Sequence, residues 1–194
     1  MAPEDWSVPG GDEAPGVTVR RLPADAARDP ELVEQISALA NEVYAVAEAG
    51  FWQPGAARTT PEEIAAAIRA VQLIVAMAGT VVGVIRTQVD GPDASFGMLA
   101  VDPAHRDRGV GRRLVRAAED GARRAGAEQM HLEVLTPTAR ESGGKAELGR
   151  WYERLGYRYA GDLALHERYP DLVPELAVPC HLRLYRRPLA PSGA

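Results

Sequence analysis

VDPAHRDRGVGRRL (residues 101–114) sets two glycines one residue apart among four arginines, and the apolar run SFGMLA leads into it. Read locally, a strand delivers the chain to Arg106-Asp107-Arg108-Gly109-Val110-Gly111, and a helix starts there. A helix start carries unpaired backbone N–H groups and about half a unit of positive charge. Glycines remove the Cβ atoms that would hold an anion away from those donors. Arg106, Arg108, Arg112 and Arg113 add charge at the same spot. The stretch is a poor Walker loop, because no Lys-Ser or Lys-Thr follows. It is a poor dinucleotide turn too, with Leu114 where the third glycine belongs. The remaining plain reading is an arginine-rich surface turn that caps a helix.

The whole chain sharpens the question. Its 194 residues carry a formal net charge of −5, which argues against a general nucleic-acid binder and makes the basic cluster local. Apolar residues at 46% and charged residues at 25% are ordinary for a globular chain with a core. A single cysteine, Cys180, allows no internal disulfide and fits a reducing, cytoplasmic setting. No run of 18 apolar residues is present, and no basic region precedes an apolar one at the N-terminus, so neither a membrane span nor a signal peptide is expected. The four histidines show no metal-ligand spacing. Residues 1–15, rich in Pro, Gly and acid, and residues 190–194 read as flexible tails around one domain at 16–189.

Periodicity gives the element order. VTVRRL (17–22) reads as a strand, and Pro30 opens a helix with Leu32, Ile36, Leu39, Ala40 and Val43 on one face. Thr60-Pro61-Glu62-Glu63 is a helix start, with Thr as N-cap, Pro at the first position and acid behind it. LIVAM (73–77) and TVVGVIRTQV (80–89) form a hairpin at Ala78-Gly79, and SFGMLAV (95–101) is the next strand. The helix after Gly109 carries an apolar stripe of Val110, Leu114, Ala118 and Ala122 and ends at Gly126. MHLEVL (130–135), a helix at 145–155 stopped by Gly156, then YRYAG (157–161) and CHLRLYRRPL (180–189) complete the order. That pattern predicts an α/β (α+β) three-layer domain, with a mixed and mostly antiparallel sheet between helices.

Arg106-x-x-Gly109-x-Gly111 behind LAVDPAHR resembles the acyl-CoA signature of the GNAT superfamily of N-acyltransferases. MHLEV (130–134) is similar to that family's fifth strand, and LGRWYERLGY (148–157) to its late helix and following turn, so the likeness runs from Val17 to Leu189. The resemblance implies that strands four and five splay apart and take acetyl-CoA, the acyl donor, between them. It implies a backbone contact with pantetheine at Leu99, Ala100 and Val101, and a pyrophosphate cradle over Arg106, Asp107, Arg108, Gly109, Val110, Gly111 and Arg112. Lys145 stands where the family often has an asparagine that reaches the pantetheine; it could contact a CoA phosphate or be solvated. The activity implied is acetyl transfer to a primary amine of a small molecule, without a metal, a nucleic acid or a membrane. Peptide or protein amines, and a catalytically silent acyl-CoA-binding domain, stay open as alternatives. Dimers are common in the family, and a homodimer is compatible with the resemblance.

Acyl transfer to an amine needs a neutral amine, a donor for the developing oxyanion and a proton for the leaving thiolate. The resemblance puts the oxyanion donor on the backbone near Leu99 or Ala100, and the acid on Tyr152, which is protonated at neutral pH. Tyr152 also reads as a helix aromatic packed beside Trp151. Glu133, mid-strand between Leu132 and Val134, is the candidate base; a solvated or ion-paired glutamate is the other reading. His131 shares its face. The resemblance makes the first two helices and their loop one wall of the acceptor site, and here they supply Glu42, Tyr44, Glu48, Phe51 and Trp52. Acid plus aromatics there suit a cationic amine, or form an exposed helix face and a loop anchor. The late stretch 163–179 is long and is expected to overhang the acceptor, with His166, Glu167 and Tyr169 as contacts.

Overall fold

The computed structural model describes residues 16–139 and 143–189; the two expected tails lie outside the described residues. Strand β1 (Thr18–Arg21) leads to helices α1 (Pro30–Ala47) and α2 (Pro61–Arg69). A meander of β2 (Leu73–Ala78), β3 (Thr80–Asp90) and β4 (Asp93–Val101) follows. Then come α3 (Val110–Arg124), β5 (Gln129–Pro137), α4 (Gly143–Arg154), β6 (Arg158–Ala164), the single turn α5 (Leu165–Arg168) and β7 (Cys180–Pro188). The strands form one sheet in the order β1-β2-β3-β4-β5-β7-β6.

Period-two alternation gives this sheet two cores. Leu73 and Val75 of β2 join Val84, Ala100 and the apolar faces of α1 and α2 on one side. Ile74 and Ala76 face the other way, into α3 and α4 with Phe96, Met130, Leu132 and Val134. The expected stripe of α3 is buried in full, with Val110, Leu114, Ala118 and Ala122 all at or below 1% exposure. The Thr60 cap holds as read, with Thr60 and Glu63 closing a reciprocal capping box, and Asp29 caps α1 by accepting from the N–H groups of Glu31 and Leu32 at 3.1 Å each. Beneath α3, the buried Glu119 accepts from the Tyr157 hydroxyl and from Arg187, both at 2.8 Å, which ties α3 to the turn after α4 and to β7.

One junction breaks the antiparallel pattern. β4 and β5 run parallel and pair only over Asp93–Ser95 against Gln129–His131. Beyond Ser95 β4 stays with β3, while β5 continues with β7 as far as Pro137 facing Cys180. The cause is local. Val84 faces Ala100 and Arg86 faces Gly97, so two steps on β3 meet three on β4. The extra residue is a bulge at Met98, whose φ of +49° lies in the left-handed region. A bulge bends its strand and raises its twist, and this one steers β4 away from β5.

One strand bound is corrected: β6 runs to Ala164 rather than ending at Gly161, with a register shift between Tyr159 and Gly161. The long stretch 163–179 holds α5 and a 3₁₀ turn at Pro170–Glu175. Pro170 and Pro174 keep both pieces too short to show helical periodicity. No helix among the described residues is long and apolar enough to cross a membrane.

The α4–β7 contact has no slack. A Cβ added at Gly149 would collide with the hydroxyl of Tyr185, a ring only 2% exposed. Gly149→Ala is expected to cost about 1–3 kcal/mol by overpacking, read as a lower urea midpoint at unchanged slope.

Candidate active site

Where β4 leaves β5, side chains from both faces of the sheet converge. Tyr44 comes from α1, and its hydroxyl is hydrogen-bonded to the Leu99 backbone. Burial, the largest cause, pushes this phenol up to about 12; Arg58, 5.0 Å over its ring, and the Leu99 bond pull it down, and Glu48 raises it. Tyr152 comes from α4. Burial raises its phenol first, and the neighbouring Tyr44 and Tyr185 hydroxyls raise it further. Both phenols are therefore protonated at neutral pH. The Tyr152 ring lies 5.9 Å from Phe96 of β4, 5.0 Å from Trp151 and 6.1 Å from Tyr185 of β7, beneath the parting strands.

The glycine pair lies past the end of β4. Gly109 caps α3 at φ +77° with no side-chain cap, so the first turn leaves its N–H groups exposed to a ligand. Asp107, also left-handed at φ +59°, closes the turn. A Cβ at Gly109 would meet no atom within 4 Å, so backbone conformation rather than crowding demands glycine there. At Gly111 a Cβ would stand 3.5 Å from Trp151 and 3.8 Å from Val101, which seats the first turn of α3 between β4 and α4. Arg106, Arg108 and Arg112 are exposed around this turn, whereas the Val110 side chain is core. Alongside runs a cleft of about 540 Å³ between α3 and α4, lined by Arg112, Arg116, Trp151 and Arg154 among others.

A third group lies on the free face of β5. Glu133 accepts from the Tyr169 hydroxyl at 2.7 Å and from Arg168 Nε at 3.1 Å. The nearby carboxylate holds Arg168 above the usual guanidinium range. His131 shares the face and sits below its ordinary value, through burial first and then through Arg186 and Arg168, against the pull of Glu133 and Asp93.

The fourth group is a buried ion pair. Lys145 Nζ lies 2.8 Å from Glu48 Oε1, with side chains 6% and 4% exposed. Glu48 Oε2 accepts from Trp52 Nε1 at 2.8 Å, and the ammonium stands 5.3 Å from the Phe51 ring centre. Around this pair the 51–53 loop is stitched to the late segment by backbone bonds: Ala177 N–H to Phe51 O and Gln53 N–H to Glu175 O, both 2.8 Å.

The sequence candidates thus separate. Leu99, Tyr44 and Tyr152 come together at the strand opening, while Ala100 and Val101 remain paired to Val84 and Gly83 of β3. Glu133 and His131 share the β5 face with Tyr169. Lys145 is not a solvated lysine: it is buried on Glu48. Trp52 anchors a loop, and Glu42 is exposed on α1. Sequence reasoning passed over Arg168 and Arg186. Arg186 stands opposite His131, a neighbour that only the register of β5 on β7 reveals. Among the described residues no three His, Cys, Asp or Glu side chains gather as metal ligands.

Residues 69–159 match the family model of the acetyltransferase (GNAT) domain. No curated protein matches the chain by sequence. Solved structures that share the fold include three acetyl-transfer or synthase proteins. The ribosomal-protein-S18-alanine N-acetyltransferase of Escherichia coli is 17% identical, over 91% of this chain and 96% of that one, with a TM-score of 0.61. The N-acetylglutamate synthase of Neisseria gonorrhoeae, complexed with coenzyme A and N-acetylglutamate, is 18% identical over 90% of this chain and 35% of that one, at 0.61. The yncA protein of Salmonella typhimurium, solved with its cofactor acetyl-CoA, is 18% identical over 92% and 97%, at 0.60. At these identities the likeness is one of fold.

Two measurements test this geometry. Lys145→Met strands a buried carboxylate, so it is expected to cost about 3–5 kcal/mol in urea unfolding. The double variant with Glu48→Gln should cost clearly less than the sum of the two singles. Because His131 titrates lower in the fold than in the unfolded chain, acid protonates the unfolded chain first. Its share of stability is therefore lost as pH falls from about 6.5 toward the lowered native value. His131→Asn should flatten the urea-midpoint profile between pH 7 and pH 5.

Proposed function

We propose that this chain, whose residues 69–159 match the GNAT acetyltransferase domain model, is an acetyl-CoA-dependent acetyltransferase that acetylates a primary amine of a small molecule by direct attack in a ternary complex. The observation that carries the reading is the parting of β4 from β5 with two protonated phenols, Tyr44 and Tyr152, at the opening. When bound, acetyl-CoA supplies an activated acyl group.

The chain's own residues divide the work. Backbone left unpaired by the bulge, from Leu99 to Val101 on the β5 side, lies along the pantetheine. Pyrophosphate takes the first-turn N–H groups of α3, with Arg106 to Arg112 around it, and the Arg112–Arg154 cleft takes the remainder of the nucleotide. Charge that grows on the carbonyl oxygen is met by the Tyr44 hydroxyl, whose oxygen is held by the Leu99 backbone bond. Tyr152 gives its proton to the departing sulfur, and its raised affinity for that proton keeps it loaded at neutral pH. Glu133, the carboxylate on the β5 face, draws a proton from the amine through water. Lys145 has a positioning part: with Glu48 it fixes the start of α4, and hence Tyr152, against the 51–53 loop.

Tyr152→Phe should lower kcat about 100-fold or more while calorimetry shows acetyl-CoA binding within a factor of two or so. Gly109→Val forces a branched residue to φ +77° and fills the space over the α3 turn, so it should abolish acetyl-CoA binding in a protein still folded by circular dichroism. Normal binding by that variant would overturn the phosphate-cradle assignment. Unchanged turnover in Tyr152→Phe would remove it as the acid.

A further inference from the structure

We propose that the acceptor amine carries a carboxylate, held by Arg186 and Arg168 on the open face of β5; this deepens the acetyltransferase reading and rests on it. Two of the acids that could attract a cationic acceptor are already engaged. Glu48 is buried on Lys145 and Trp52, and Glu133 is held by Arg168 and Tyr169. What faces outward is guanidinium. Arg168 bonds Glu133 through Nε, and its side chain is 52% exposed.

Register places two more cations on the same face. Arg186 of β7 stands directly opposite His131 of β5, and Arg158 of β6 stands directly opposite Arg186. Direct antiparallel partners share a face, so His131, Arg186 and Arg158 form one row across three strands, with Glu133 one step along. Both arginines of the row are exposed. Like charges directly opposed on neighbouring strands repel, and an anion between them removes that cost. Burial lowers the proton affinity of His131, which adds no counter-charge, and Asp93 and Glu133 are the carboxylates it senses. In a chain of net charge −5, three guanidinium groups around one paired glutamate make a local anion seat.

The location fits an acceptor. The row coincides with the last paired step between β4 and β5, Ser95 with His131, immediately before the strands open. An amine whose carboxylate rests on Arg186 and Arg168 therefore meets Glu133 on the way to the opening. The seat selects small amino acids over simple amines and polyamines.

The test offers a set of small amino acids, each also as its carboxamide and as its decarboxylated amine, and follows CoA thiol release at saturating acetyl-CoA. Calorimetry establishes acetyl-CoA binding separately. The amide's amine is less basic and so more often neutral at pH 7.5, which favours the amide on bare reactivity; a preference for the acid reports recognition. At least one acid is expected to exceed its amide and its decarboxylated form in kcat/KM by about ten-fold or more, the effect of one charge-assisted contact. Arg186→Gln should erase that preference by raising KM for the acid while KM for acetyl-CoA holds, and Arg186→Lys should restore part of it. Equal or better turnover of amides or polyamines overturns the inference, as does bound acetyl-CoA whose thiol release no acid accelerates. Failure to bind acetyl-CoA would remove the acetyltransferase reading itself, and the inference with it.

Discussion

Three residue pairs hold β4 to β5, and the proposed site depends on the fact that the pairing stops there. A twisted sheet keeps neighbouring strands together by default, because every unpaired N–H and C=O inside it has lost water without gaining a partner. The bulge at Met98 works against that default. It turns β4 toward β3 by one extra residue, and the strained φ of +49° is a local cost of order 1–3 kcal/mol that the surrounding sheet carries. In return the backbone beyond it is presented between two layers of helices, where Tyr44 reaches it from one side and Tyr152 packs beneath it from the other.

Charge in this chain is arranged by the same economy of space. Its buried ions come with partners: Lys145 with Glu48, and Glu119 with Tyr157, Arg123 and Arg187. A buried pair gains little net stability, since desolvation of both ions offsets their attraction. It does fix geometry, because neither ion tolerates separation from the other. The Lys145 pair thereby locks the start of α4 to a loop that follows α1, two pieces of chain that share no backbone hydrogen bonds in the sheet. Among the exposed arginines, Arg106, Arg108 and Arg112 stand at the α3 start, and Arg158 and Arg186 on the β7–β6 face.

Much of this was legible in the sequence where the cause is short-ranged. The α3 stripe, the Thr60–Glu63 capping box and the turn at Gly79 follow from residues within one or two turns of each other, and each formed as read. The mixed sheet between helices followed from element order, and the strand opening came through the resemblance. What could not be read is what depends on register across the sheet. Glu48 and Lys145 lie 97 positions apart, and Arg168 and Glu133 lie 35 apart; neither spacing carries a periodic signal. A lysine at the head of a helix is normally solvated, so only the closure of the 51–53 loop over it explains its burial. The bulge was equally silent, because methionine has no preference for a left-handed backbone; its position is set by how β3 and β4 must align, not by the residue itself.

The seam between the 51–53 loop and the 175–177 segment is made of main-chain hydrogen bonds: Ala177 to Phe51, Gln53 to Glu175, and the ladder contact of Trp52 with Leu176. Main-chain bonds are indifferent to which side chains flank them. Gln53 adds a side-chain bond to Leu176 O at 3.2 Å, but surface residues such as Glu175 and Ala177 can be exchanged while the two segments stay joined, so the rim of the site can change its chemistry while its outline persists. Divergence toward new acceptors has a ready route here, one that leaves the opening between β4 and β5 untouched.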